Sequence, residues 1–320
     1  MKTFRVFGFN LASDFPFATH LDVSSSPPDL TFSYQATSRW DDGEKAVPIY
    51  VSPYPTETGE PPAELYRLPE QDLLRFPGIC AFRIEPHHLH GHAATEAIAP
   101  LVEIRLLGPA LSYWLEGRGL PILHASAVEI DGRALVFAAD QGGGKSGLAA
   151  ALLRSGAALL SDDVVALETG DGGEIAVRSA YPEMRMWPDE ARHFLGNVDA
   201  LRLVQPGAEK RRVPVGRGRF GDFSGRTLPL QRLYLPERRK AWPGSGGGIF
   251  TPLSRREALI ELVRLSFMPH LVEAVGLQPG RLDLLSRLVQ QVSVRRLLYP
   301  AGFERLEEVA QAIRQDAAQP

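Results

Sequence analysis

The stretch Ala139-Asp140-Gln141-Gly142-Gly143-Gly144-Lys145-Ser146 has the residue types needed to hold a polyphosphate. Consecutive glycines let a chain aim several N–H groups at one point without a Cβ in the way. The apolar residues 135–138 before it read as a strand, and residues 145–155 after it read as a helix. A phosphate loop of pattern G-x-x-x-x-G-K-[ST] requires that setting, because the helix N-terminus adds its partial positive charge. Asp140, Gln141, Gly142, Gly143, Gly144 and Gly147 would wrap the phosphates, Lys145 would reach their outer oxygens, and the Ser146 hydroxyl would ligate Mg²⁺. Ala139 stands where the pattern has its first glycine. An ordinary turn is the alternative reading.

Ser161-Asp162-Asp163 lies between two apolar runs. Adjacent carboxylates repel unless a cation joins them, and a magnesium nucleotide supplies one. One carboxylate would then hold metal while the other takes a proton from an acceptor. A helix cap or turn is the competing explanation. His124, in Leu-His-Ala-Ser-Ala-Val, is close to the loop in sequence, although a lone histidine on a strand is more often structural. Lys210, Arg211, Arg212, Arg217, Arg219 and Arg226 could neutralise phosphate, bind an acidic peptide, or form a solvated loop. Trp187 could line an acceptor pocket, with burial in the core the commoner use of tryptophan. Arg238-Arg239-Lys240 reads as a surface turn. His88, His90 and His92 would share one strand face beside His87, but no fourth ligand accompanies them, so a solvated turn is preferred to zinc.

These residues need elements to position them. Residues 122–130 read as a strand, Asp131-Gly132 as a hairpin turn, and residues 135–138 as the returning strand. Gly156 ends the helix that follows the loop, and residues 157–160 and 164–167 flank the acidic pair. Residues 255–267, 281–291 and 303–314 read as helices, with a short strand at 294–298, and residues 244–248 (GSGGG) as a flexible loop. Residues 4–10 read as one opening strand. The next hundred residues are proline-rich and turn-rich, with short strands at 46–51, where Pro48 demotes the strand to an edge, and at 79–84. Helical spacing over 96–120 is interrupted by Pro109, which should break or restart the helix, with Gly117 and Gly119 ending it. The domain boundary falls near this helix. Residues 1–115 form a smaller α+β domain that could recognise an acceptor, and residues 116–320 an α/β domain carrying the loop.

Composition excludes several classes. With 44% hydrophobic and 23% charged residues, the chain is neither disordered nor fibrous. A net charge of −3 argues against a nucleic-acid partner. No apolar run approaches the roughly 18 residues of a membrane span, and the opening residues lack a secretory signal. The single cysteine, Cys80, cannot pair internally. These features read as a cytoplasmic protein with no membrane partner. The oligomeric state is open.

Together, His124-Ala-Ser-Ala-Val, the Asp131-Gly132 turn, residues 139–146 and Ser161-Asp162-Asp163 resemble the HPr kinase/phosphorylase family, and within it the HPr-kinase-like proteins that include lasso-peptide kinases. The match is specific over residues 121–170. It is looser elsewhere, in the opening FRVFGFNLASDFPF, in residues 181–188 (YPEMRMWP) and in Lys210-Arg211-Arg212-Val213. The resemblance implies a phosphate-loop kinase domain related to phosphoenolpyruvate carboxykinase, using ATP and Mg²⁺ to phosphorylate a serine hydroxyl of a peptide or protein. A ribosomal peptide precursor is one candidate acceptor. Carried over by position, Asp162 would be the general base, Asp163 the metal or phosphate partner, and His124 a hydrogen-bonding neighbour of the pair. Lys145 and Ser146 would keep the roles given above, and Lys210 and Arg211 would be phosphate or acceptor contacts. The chain departs from the pattern at Gly147, where relatives carry an acidic residue. It also lacks their glycine- and arginine-rich signature, of which Gly216-Arg217-Gly218-Arg219 is only an echo. Both departures argue against HPr as the acceptor. A nucleotide-binding regulatory module, a small-molecule kinase acting on serine, and a carboxykinase-like enzyme are the alternatives.

Overall fold

In the computed structural model, Phe7 and Gly8 turn the opening run back on itself. Their φ angles are 51° and 75°, the left-handed pair that a two-residue hairpin turn requires. The single strand expected over 4–10 is therefore a hairpin of β1 (Lys2–Val6) and β2 (Phe9–Ser13). The structure describes residues 1–36, 46–54, 59, 61–95, 98–242 and 248–319. The start of the predicted helix at 96–97, most of the predicted loop at 244–248 and part of the proline-rich stretch lie outside them. The chain divides into two units, Met1–Gly119 with Met268–Pro279, and Leu120–Phe267 with Gly280–Pro320.

The first unit adds β3 (Asp22–Val23), β4 (Leu30–Ala36), β5 (Tyr50–Val51), β6 (Glu64–Arg67), β7 (Asp72–Phe76), β8 (Cys80–Ile84) and β9 (His88–Ala93). They form one nine-stranded sheet in the order β3-β1-β2-β4-β9-β8-β7-β6-β5. β5 takes an edge, and of the strand expected over 46–51 only these two residues pair, with Pro48 lying before them. β9 lies between β4 and β8, so the histidines occupy an interior strand and not a turn. His88 and His90 stack at 4.0 Å, and His90 Nδ1 meets Ser33 Oγ at 2.8 Å. Cys80 is buried, and burial pushes its thiol up to about 12, which leaves it unreactive.

At Pro109 the α pattern restarts without a break in the rod, and Gly117 ends it. α1 (Ala99–Arg105) runs through a π-helical turn, Leu106–Ala110, into α2 (Leu111–Glu116). The Leu111 N–H reaches back to the Leu106 carbonyl, so the wider turn passes over the residue that has no N–H. Glu103, 1% exposed, pins this rod by accepting hydrogen bonds from Ala18 N, Thr19 N and Thr19 Oγ1 at 2.5–2.8 Å.

The second unit opens with β10 (Ile122–Leu123), β11 (Ala125–Ile130) and β12 (Arg133–Ala138). The strand expected over 122–130 is interrupted at His124, whose N–H donates to Leu265 O at 2.9 Å. There follow α3 (Lys145–Arg154), β13 (Ala158–Ser161), β14 (Val165–Thr169), β15 (Ile175–Val177), β16 (Glu183–Met186), α4 (Pro188–Leu195), β17 (Arg211–Pro214), β18 (Asp222–Phe223), β19 (Leu228–Arg239), β20 (Ile249–Pro252) and α5 (Arg255–Arg264). α6 (Pro269–Ala274) belongs to the first unit, and α7 (Gln278–Gln291), β21 (Ser293–Pro300) and α8 (Leu306–Ala317) complete the chain. β10 pairs β14, while β11 pairs β12 and β13, so His124 sits where the chain changes partner strands.

Ten strands make the main sheet, with β12, β19 and β21 parallel at its centre. Along β12, Leu135 and Phe137 pack under α3 and α8, whereas Ala134, Val136 and Ala138 pack under α5 and α7. Both faces are covered, which is why the strand reads as an unbroken apolar run. The result is a mixed α/β fold with large sheets. No helix among the described residues is long and apolar enough to cross a membrane.

Candidate active site

β12 delivers the glycine-rich loop to the N-terminus of α3. Gly142 and Gly144 take φ angles of 77° and 90°, and the Gly143 N–H closes on Asp140 O at 3.0 Å. No side chain caps α3, so its first-turn N–H groups are left for a ligand. Ala139 and Gly143 fit one another. A Cβ added to Gly143 would stand 2.5 Å from Ala139 Cβ and 3.0 Å from Asp140 O. The methyl at 139 is thus accommodated by the missing one at 143. Gly143→Ala is expected to cost about 1–3 kcal/mol by overpacking, and Ala139→Gly in the same chain should restore part of the loss in thermal melts. An equal loss in both backgrounds would place the strain at Asp140 O instead.

Two central strands brace the loop from below. Arg238 on β19 and Tyr299 on β21 are register partners. The Arg238 guanidinium donates to Gly142 O, and Tyr299 Oη lies where a Gly144 side chain would begin. Arg238 is therefore part of a strand that supports the loop, not of the surface turn its sequence suggests. Asp140 is exposed and paired with Arg264 at 2.6 Å. Lys145 is 6% exposed, and its Nζ donates to Ala139 O at 2.8 Å and Asp140 O at 3.0 Å. Burial lowers its pKa from the ordinary lysine value, against the pull of Asp163 and Asp162.

The two aspartates point different ways. Asp162 follows β13 and turns inward. Its Oδ1 accepts from Ser126 Oγ at 2.5 Å and Ser146 Oγ at 2.9 Å, and its Oδ2 accepts from Arg185 N at 2.8 Å. Asp163 has a φ of 74°, a left-handed turn that sends its side chain to the open side. There it meets Arg185 Nη1 at 2.8 Å, with His124 Nδ1 3.7 Å from its other oxygen. Burial alone would push the Asp163 carboxyl up, but Arg185, His124, Lys210 and Lys145 hold it below the usual carboxylate range. Burial and Lys145 lower the His124 pKa, against the opposing pull of Asp163. The ring Nδ1–H donates to the Asp163 carbonyl at 3.0 Å.

A cleft of about 180 Å³ opens over these groups. His124, Gln141, Gly142, Gly144, Lys145, Ser146, Asp163 and Lys210, all singled out in the sequence, border it. Asp140, Gly143, Gly147, Asp162 and Arg211 do not. Asp162 reaches it through Ser146, and Arg211 is held in β17 opposite Met186. Nor is the basic run a solvated loop throughout, because Arg212 is buried against Glu183 at 3.4 Å.

Solved structures similar to this chain include the HPr(Ser) kinase/phosphatase from Coxiella burnetii. It is 12% identical over 62% of this chain and 99% of that one, with a TM-score of 0.31. No family model matches the chain, and no curated protein sequence does. At this level of likeness the chemistry has to be read from the cleft itself.

Sequence reasoning missed Arg185, Asp189, Glu190 and Phe303, which also line the cleft. Trp187, weighed there as a pocket residue, does line it, with Lys210 Nζ 5.4 Å from its ring centre. The alternation Glu183-Met-Arg-Met186 carried the missing signal. Met184 and Met186 go to the core, so Arg185 must face the opposite way, toward the acidic pair.

Proposed function

We propose that this cleft binds a magnesium nucleoside triphosphate, ATP in the simplest case, and transfers its γ-phosphoryl group to a hydroxyl. The contact between Ser146 Oγ and Asp162 Oδ1 at 2.9 Å carries the reading. It joins the hydroxyl at the head of α3 to a carboxylate on the neighbouring strand. Both are hard oxygen donors suited to Mg²⁺, and the bare glycine loop beside them leaves the space a phosphate chain needs. Magnesium held there would spread the charge that develops on the transferred group.

Lys145 would exchange its two carbonyl partners for phosphate oxygens. Arg238, which lines the cleft and donates to Gly142 O, would add a second cation. Asp162, with three donors on its oxygens, is better suited to orient Ser146 than to take a proton, which moves it from the role its position in the motif suggests. Asp163 pairs with Arg185, and its carbonyl holds the His124 ring. Trp187 and Lys210 on the far wall would meet the acceptor. We assign a serine of a peptide or protein as acceptor, following the motif resemblance.

Calorimetric titration tests the reading. ATP should bind at least about tenfold more tightly with Mg²⁺ than without, and Ser146→Ala should erase that difference. Label from γ-labelled ATP should then pass to a serine-containing peptide. Binding without turnover would mark a nucleotide-sensing module, and no binding would end the proposal.

A further inference from the structure

We propose that Glu190 accepts the proton from the attacking hydroxyl. This rests on the phosphotransfer reading above. Glu190 is the third residue of α4, borders the cleft and is only 8% exposed. Its Oε2 caps the helix by accepting from Trp187 N at 3.1 Å. Its Oε1 accepts no hydrogen bond among the described residues. That oxygen lies 3.3 Å from where a Gly147 side chain would begin, against the first turn of α3, and Glu190 lines the same cleft as Ser146. A larger residue at 147 would fill the space that Oε1 uses.

The other cleft carboxylates are committed elsewhere. Asp163 gives one oxygen to Arg185, and that guanidinium, with His124, Lys210 and Lys145, holds its carboxyl below the ordinary range against the effect of burial. Asp189 is exposed and paired with Arg192 at 2.8 Å. Asp162, behind Ser146, already accepts from three donors. Glu190 faces Asp162, Lys210 and Arg238. Burial raises its pKa, the Trp187 N–H draws it back, Asp162 adds to the rise, and Lys210 and Arg238 oppose it. A base works best with its pKa shifted toward the working pH. In the step, the acceptor oxygen bonds to the γ-phosphorus as its proton passes to Oε1. The bond from that phosphorus to the β–γ bridging oxygen breaks, and its electron pair leaves with the nucleoside diphosphate.

The test uses the full chain, Mg·ATP, and turnover measured with water and with a serine-peptide mixture. Glu190→Gln keeps the helix cap, since glutamine serves equally at that position. It should lower kcat by about 10²-fold or more, with Kd for Mg·ATP within about threefold. The acid limb of the wild-type pH profile, displaced above the ordinary glutamate range, should disappear. Stability should not fall. A raised folded-state pKa means that stability drops as pH climbs through it, so removing the charge leaves the melt at pH 7.5 equal or higher. A variant that keeps wild-type turnover and pH profile overturns the assignment while leaving the kinase reading standing. Wild-type protein that fails to bind or turn over Mg·ATP overturns both.

Discussion

Lys145→Met is expected to lower Mg·ATP turnover by about 10²–10³-fold, the usual cost of removing one preorganised donor from a developing anion. The ammonium is held by the Ala139 and Asp140 carbonyls, and on the phosphotransfer reading it would exchange them for phosphate oxygens. Methionine retains the apolar stem and fills a similar volume. Asp140 O still accepts from Gly143 N at 3.0 Å, which leaves one carbonyl short of a donor and a stability loss of about 1–2 kcal/mol. Steady-state turnover and a chemical melt together separate the two effects. Unchanged turnover would move the phosphates out of this cleft.

Gly144→Ala should cost more stability than any other single change in the loop. The added Cβ would stand 2.0 Å from Tyr299 Oη and 3.3 Å from Cζ, on a backbone with φ of 90°. Left-handed strain in a non-glycine residue accounts for about 1–3 kcal/mol, and overpacking against a buried ring for a similar amount. Pairing it with Tyr299→Phe removes the closest contact but not the backbone strain, so the double variant should recover only part of the loss. Denaturant melts of the single and double variants measure both parts. A Gly144→Ala protein as stable as its parent would mean that the loop does not rest on Tyr299.

The loop and its flanking elements were legible in the sequence because local chemistry dictates them. A strand buried on both faces must read as Leu-Val-Phe-Ala, and Asp131-Gly132, with φ of 50° and 76°, must turn. Asp162 and Asp163 were legible as a pair but not as two environments, since the left-handed turn that separates them leaves no mark in residue type. Arg238 and Tyr299 were hidden for another reason. They reach the loop through parallel pairing of β12, β19 and β21, and such pairing joins residues roughly sixty to a hundred positions apart. Pro109 marks a restart rather than a break because a π turn needs one N–H fewer at the residue where proline has none to give.

The order of synthesis has a consequence of its own. The second unit is nested inside the chain of the first, between Gly119 and Met268, and its own tail resumes after Pro279. A ribosome therefore releases the loop, the acidic pair and β19 before it releases the twelve-residue stretch 268–279 that the first unit still lacks. Tyr54, whose ring ends 6.2 Å from that of His270, must wait for more than two hundred residues to emerge. The first unit is begun early and finished late, and a fragment ending at Gly119 would never be finished.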